Sequence, residues 1–191
     1  IAAVIPWGTS FVMFDRVIEL YVADLNVGVL YLMSIASIAV YGIVLAGWSS
    51  NNKYAMLGGL RSSAQMVSYE LALGLSFVTS IILADSMRML DIVAAQKEMW
   101  FVVIQPVGAV IFWIATLAEV NRAPFDMPEA EQELTAGYHS EYSGMKFALF
   151  FMAEYQKMIV ICAIAATLYF GGFREFWFLK DTIFSVDHSW T

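Results

Sequence analysis

The stretch LNVGVLYLMSIASIAVYGIVLAGWSSNN, residues 25–52, contains no charged side chain. A helix needs about 20 apolar residues to cross a hydrocarbon core roughly 30 Å thick, so this run predicts a membrane span over about 25–48. The composition agrees: 60% of residues are hydrophobic, 14% are charged and the mean hydropathy is +0.69, too apolar for a soluble domain of this length. Three further spans are predicted outward from it. One covers 60–84, with Arg61 near its start and Glu70 inside. A second covers 99–119 and is uncharged until its last residue. The third covers 146–171 and carries Glu154 and Lys157. None of these runs alternates with the period of two that a barrel strand requires, so all four are read as helices. The predicted fold class is all-α: a polytopic transmembrane helix bundle with four full spans, in a single integral membrane domain over 1–191.

Both ends read as parts of longer features. IAAVIPWG at the start has the character of the tail of a preceding span, and FREFWFLKDTIFSVDHSWT at the end that of an aromatic interfacial loop leading to further helices. The segment 14–24, with Asp15, Arg16, Glu19 and Asp24 among apolar residues, suits a membrane surface. Lysines and arginines are shared evenly between the two sides, so loop charge sets no orientation.

Between the third and fourth spans lies AEVNRAPFDMPEAEQELTAGYHSEY, residues 118–142, an acidic loop over 119–142. It holds Glu119, Asp126, Glu129, Glu131, Glu133 and Glu141 against one neighbouring base, Arg122. Asp126, Pro128 and Glu129 form a capping-box pattern with proline in the first turn, which predicts a short helix there. Glu129 and Glu133 then share one face and repel, while Glu131 lies on another. In a partly dehydrated crevice that repulsion raises the proton affinity of at least one of them; on an open surface they form an ordinary solvated acidic face.

The net charge of −7 leaves no basic patch for phosphates and argues against a nucleic-acid partner. The single Cys162 cannot form an internal disulfide, and His139 and His188 are far apart in sequence, so no metal, haem or iron–sulfur ligand set is read. No nucleotide loop, nucleophile elbow or other catalytic motif is present. The chemistry therefore rests on ionisable residues within spans, which face a bundle interior, a partner or a water path. Glu70 lies deep in an otherwise apolar helix; the alternative to a functional role is a protonated side chain bonded to a neighbouring helix. Glu154 and Lys157 are an i, i+3 pair that either neutralise each other or store and transfer protons. Glu119 is either a solvated helix end or part of the same chain of carboxylates.

Three segments in order, GWSSNNKYAMLGGLRSSAQMVSYE at 47–70, AEVNRAPFDMPEAEQEL at 118–134 and EYSGMKFALFFMAEY at 141–155, carry a resemblance. They are similar to the H subunit of the proton-pumping NADH:quinone oxidoreductase, respiratory complex I, and the likeness runs from about Ala23 to Gly172. Val120 stands where the family commonly has threonine, and Ser62-Ser63 where it commonly has alanines. The family has eight spans, so the resemblance implies that four are missing here apart from a remnant of the second.

The resemblance implies a membrane subunit of an oxidoreductase that couples quinone reduction to proton translocation. Glu70, Glu119 and Glu154, with Lys157, would form a buried proton path. Arg61, Arg122, Phe125, Asp126, Glu129, Glu131 and Glu133 would line the quinone chamber or its loop. The loop around 48–61 and the acidic loop would face the cytoplasm or matrix from a bacterial inner or mitochondrial inner membrane. The chain itself would bind no cofactor: quinone is the substrate, and FMN and iron–sulfur clusters belong to partner subunits. The implied partners are the redox-arm and membrane-arm subunits, quinone and the lipid bilayer. Two other readings share the carboxylates: a related subunit of an energy-converting hydrogenase, and an autonomous ion channel or transporter, although no inverted repeat is visible.

Overall fold

A computed structural model of the chain describes residues 2–8, 11–13, 16–18, 20–125 and 137–174. The fold is an all-α membrane helix bundle. Its long elements are α1 (Gly28–Ser49), α2 (Lys53–Ala84) and α6 (Gly144–Tyr169), each long and apolar enough to cross a membrane. Shorter helices lie between them: α3 (Met89–Ala95), α4 (Phe101–Ile104) and α5 (Pro106–Glu119). Before α1 the chain makes a 3-10 turn at Ala2–Val4 and a small antiparallel ribbon, β1 (Phe11–Met13) against β2 (Arg16–Ile18), with Val12 opposite Val17. A second 3-10 turn, Gly137–His139, precedes α6.

α1 follows the uncharged run and spans about 33 Å at 1.5 Å per residue. α2 starts earlier than its apolarity suggests. Only 50–52 separate it from α1, and the Asn52 side chain accepts a hydrogen bond from the Tyr54 N–H at 3.0 Å, a standard N-cap contact. The expected loop around 48–61 is thus mostly the first turns of α2, and Arg61 is a helical residue. Charged residues near a helix end cost little where water reaches them, so the helix continues through Lys53 and Arg61.

The expected span over 99–119 is divided. α4 stops at Gln105, and Pro106 opens α5, because proline has no N–H to give to Val102 and its ring crowds the preceding turn. Gln105 bridges the break by donating from Nε2 to Thr79 O at 3.2 Å.

Two adjacent glycines of α2 govern the packing that matters for the site. A Cβ on Gly59 would lie 3.4 Å from Gly47 Cα, and one on Gly47 would lie 2.9 Å from Ala55 O. The α1 and α2 backbones therefore approach as only small residues allow. A Cβ on Gly58 would meet the backbone of Gly137 and Tyr138 at about 3.0 Å, so the returning end of the acidic loop rests directly on α2.

The apolar core lies at the opposite end. Phe77, Phe112 and Tyr169 bring their rings together from α2, α5 and α6, and Tyr169 donates its hydroxyl to Ser76 O at 2.8 Å. Leu71, Leu75, Val78 and Ile82 remain exposed on one face of α2, an apolar stripe suited to lipid or to another helix. α6 is buried mainly through Ile164, Thr167, Leu168 and Tyr169. Its first half stands away from α1 and leaves a largely apolar cavity of about 500 Å³ among α1, α2, α5 and α6.

Candidate functional site: crossed ion pairs beside the acidic loop

Glu119 is the last residue of α5, and its side chain is only 5% exposed. Across the cavity, Lys157 of α6 donates from Nζ to Glu119 Oε1 at 2.8 Å and to the Glu119 backbone oxygen at 2.7 Å. The lysine thus satisfies a helix-terminal carbonyl and a buried carboxylate at once, combining a charge-assisted bond with an opposite charge at a helix C-terminus. Glu119 Oε2 is buried with no hydrogen-bond partner among the described residues.

Three residues further along, Arg122 reaches Glu154 of α6, with Nη2 3.3 Å from Oε1. Its guanidinium also lies over the Tyr155 ring, 5.5 Å from the centroid. Glu154 and Lys157 therefore pair across the bundle and not with each other. The dry carboxylate of Glu119 gains more from the ammonium than the better hydrated Glu154 would, and Arg122 takes Glu154. The i, i+3 neutralisation expected within α6 therefore does not form. Glu119 is also not a solvated helix end, since its carboxylate lies inside the bundle.

Glu70 is the eighteenth of the 32 residues of α2, near the middle of that helix. It is half-buried and accepts a hydrogen bond from Ser37 Oγ of α1. It is also close enough to Glu119 for the two charges to interact. One residue before it, Tyr69 meets Phe125 edge to face at 5.2 Å.

The chain between Glu119 and Phe125 is held by polar groups that sequence reading did not single out. Gln65 Nε2 lies 2.9 Å from both Ala118 O and Phe125 O and 3.2 Å from Asn121 Oδ1. Asn121 sits in the left-handed region at φ 52° and donates from Nδ2 to Ser62 Oγ at 3.3 Å. The signal available beforehand was the polar set Ser62, Gln65, Tyr69 at helical spacing inside an apolar span. The other end of the acidic loop is fixed by rings: Tyr138 meets Phe150 at 6.0 Å, and His139 lies among Phe147, Phe150 and Phe151. Tyr142 donates to Ala46 O at 3.0 Å, and Asn52 donates to Glu141 at 2.7 Å.

A family model described as NADH dehydrogenase matches residues 1–190. The chain belongs to that family. It is 54% identical over 184 residues to one of the NADH-quinone oxidoreductase H subunits of Geobacter metallireducens, an alignment covering 96% of this chain and 56% of the relative. It is 48% identical over 197 residues to the H subunit of Protochlamydia amoebophila, covering 100% and 61%. It is 52% identical over 170 residues to the H subunit of Rhodospirillum centenum, covering 89% and 48%. The chain spans roughly half the length of the curated relatives it matches, and the resemblance to these proteins read from the three motifs is borne out.

In this NADH dehydrogenase family member, the fold brings together four of the expected site residues: Glu119, Lys157, Arg122 and Glu154. Glu70 and Phe125 adjoin them through Glu119 and Tyr69. Arg61 is an exposed residue of α2 next to buried Ser62. Asp126, Glu129, Glu131 and Glu133, with the short helix expected at Asp126, lie outside the described residues.

Proposed function

We propose that the chain is part of a membrane subunit of NADH:quinone oxidoreductase that helps form the quinone chamber and couples quinone reduction to proton translocation. In this reading Glu70, Glu119 and Glu154, with Lys157, carry protons. Arg61, Arg122 and Phe125, with Asp126, Glu129, Glu131 and Glu133 of the acidic loop, shape the quinone end. Quinone is the substrate, FMN and iron–sulfur clusters belong to partner subunits of the redox arm, and the acidic loop faces the cytoplasm or matrix.

The observation that carries this reading is the state of Glu119. Its carboxylate is buried and paired through one oxygen, and its second oxygen has no partner among the described residues and lies beside a cavity. An orphaned carboxylate oxygen in a dry cleft is relieved by a proton or a water, so the group is built to exchange one. Glu119 is also three residues from Arg122, whose partner Glu154 is one helical turn from Lys157. A charge appearing near the acidic loop therefore disturbs both pairs together. Quinone reduction creates negative charge and a demand for protons, and the two pairs translate that demand into proton movement toward Glu70.

The test is Glu119→Gln in the assembled enzyme. Quinone-dependent NADH oxidation and proton pumping should fall at least about tenfold, a loss of roughly 1.4 kcal/mol or more of transition-state stabilisation. NADH oxidation by a water-soluble acceptor that takes electrons at the flavin should persist. Unchanged quinone rates and pumping would reduce Glu119 to a packing residue.

A further inference from the structure

One side chain, Gln65 of α2, touches the chain at both ends of the turn that carries the ion pairs. Ala118 O and Phe125 O both lie 2.9 Å from the same amide group. Backbone carbonyls can only accept, so the nitrogen must face them, and the orientation of the amide follows from its partners. An amide NH2 has two hydrogens. They satisfy the two carbonyls, and Asn121 Oδ1 at 3.2 Å shares in one of them.

Between these two carbonyls the chain leaves α5 through Asn121 in the left-handed region, a conformation that asparagine tolerates better than most residues. The turn thereby presents the Glu119 carbonyl and carboxylate to Lys157 and points Arg122 at Glu154. Ser62, which accepts from Asn121, and Tyr69, which packs on Phe125, sit three residues before and four after Gln65 on the same face of α2. That face ends next to Glu70.

We propose that Gln65 is a positioning residue for the quinone-linked reaction: its amide clamps the Ala118–Phe125 turn so that Glu119–Lys157 and Arg122–Glu154 are held in register with each other and with Glu70. This rests on the functional reading above. It assigns to an uncharged side chain the task of keeping two ion pairs coupled, and no proton passes through it.

The experiment compares Gln65→Met and Gln65→Glu with the wild type in the assembled enzyme. It follows NADH oxidation with a short-chain quinone and with an acceptor that takes electrons at the flavin, from pH 5.5 to 8. Gln65→Met keeps the side-chain length and removes both donors. Its quinone rate should fall roughly tenfold, about the worth of one well-made hydrogen bond, with the flavin-site rate retained.

Gln65→Glu turns the donor into an acceptor facing three oxygens, except when it is protonated and has one O–H to give. Its quinone rate relative to wild type should be lowest at pH 8 and recover severalfold toward pH 5.5, whereas the Gln65→Met ratio should stay flat. A residue that merely fills space would show no such recovery. Wild-type quinone kinetics in Gln65→Met, or equal and flat ratios in both variants, would overturn the positioning role. Loss of the subunit from the enzyme in both variants would make Gln65 a folding residue and overturn it too. Glu119→Gln run in parallel separates the two claims: if it is also silent toward quinone, the functional reading itself has failed.

Discussion

The Glu119–Lys157 pair lends itself to a double-mutant cycle whose outcome can be worked out beforehand. The charged atoms are 2.8 Å apart, and with an effective dielectric constant of about 20 the Coulomb attraction is about 6 kcal/mol. Withdrawing each ion from water costs several kcal/mol, so the intact pair contributes little net stability. Removing one partner alone is a different matter. Lys157→Met leaves a 5%-exposed carboxylate without its cation and the Glu119 carbonyl without its donor, a loss of about 3–5 kcal/mol. Glu119→Gln leaves Lys157 both the backbone oxygen and a neutral amide oxygen, so it should cost roughly half as much. The double replacement should recover most of the Lys157→Met loss, with only the carbonyl of residue 119 still lacking its donor, because a buried pair exchanges for neutral groups of similar volume at small net cost. The assay is the fraction of intact enzyme on native gels after stepped heating of detergent-solubilised membranes. The expected order of stability is wild type, double variant, Glu119→Gln, Lys157→Met. If the double variant were as labile as the two single losses summed, the residues would act independently and the pairing argument would be refuted.

Three further outcomes follow from other parts of the molecule. Gly47→Val places a Cβ 2.9 Å from Ala55 O and should force α1 and α2 apart, costing about 1–3 kcal/mol and lowering the amount of subunit in membranes on immunoblots. The hydrogen bonds from Arg88, whose Nε is 2.7 Å from Asp24 Oδ2, hold the Asp24 carboxyl below its ordinary range. A carboxyl lowered in the folded state stabilises above its unfolded value of about 3.9 and loses that contribution as pH falls through the folded value. Asp24→Asn should therefore be slightly less heat-stable than wild type at pH 7, with the difference shrinking below about pH 4. Replacing Glu129 and Glu133 together by Gln should reduce quinone turnover and shift the response to quinone-site inhibitors, with Glu131→Gln doing less; wild-type kinetics in the double variant would mark a solvated acidic face.

What the sequence made legible is what depends on local pattern. α1 can be read because nothing within residues 25–52 interrupts it, and α6 because Glu154 and Lys157 are too few to break an apolar run. The early start of α2 was missed because apolarity marks where lipid is, not where a helix begins; the better signal was Asn52 as a cap. The division at Gln105 was written in Pro106, which counted for less than the uncharged run around it. The Phe11–Met13 and Arg16–Ile18 ribbon gave no cue beyond a mixture of charged and apolar residues. Pairing was the least legible part. Glu119 and Lys157 are 38 residues apart, and no spacing rule joins them, whereas helical spacing pointed Lys157 toward Glu154. Gln65 was only partly legible for a related reason: its spacing with Ser62 and Tyr69 marks a polar face of α2, but not the carbonyls that its amide meets.

The decisive measurement is the rate of quinone-dependent NADH oxidation together with the rate of proton translocation in proteoliposomes containing the assembled enzyme with Glu70→Gln. Glu70 lies near the middle of α2, within charge reach of Glu119 and bonded to Ser37. Quinone reduction and proton pumping should both fall sharply while electron transfer from NADH to an acceptor at the flavin is retained. Wild-type pumping with wild-type quinone reduction would contradict that expectation and leave the buried carboxylates as structural polar groups.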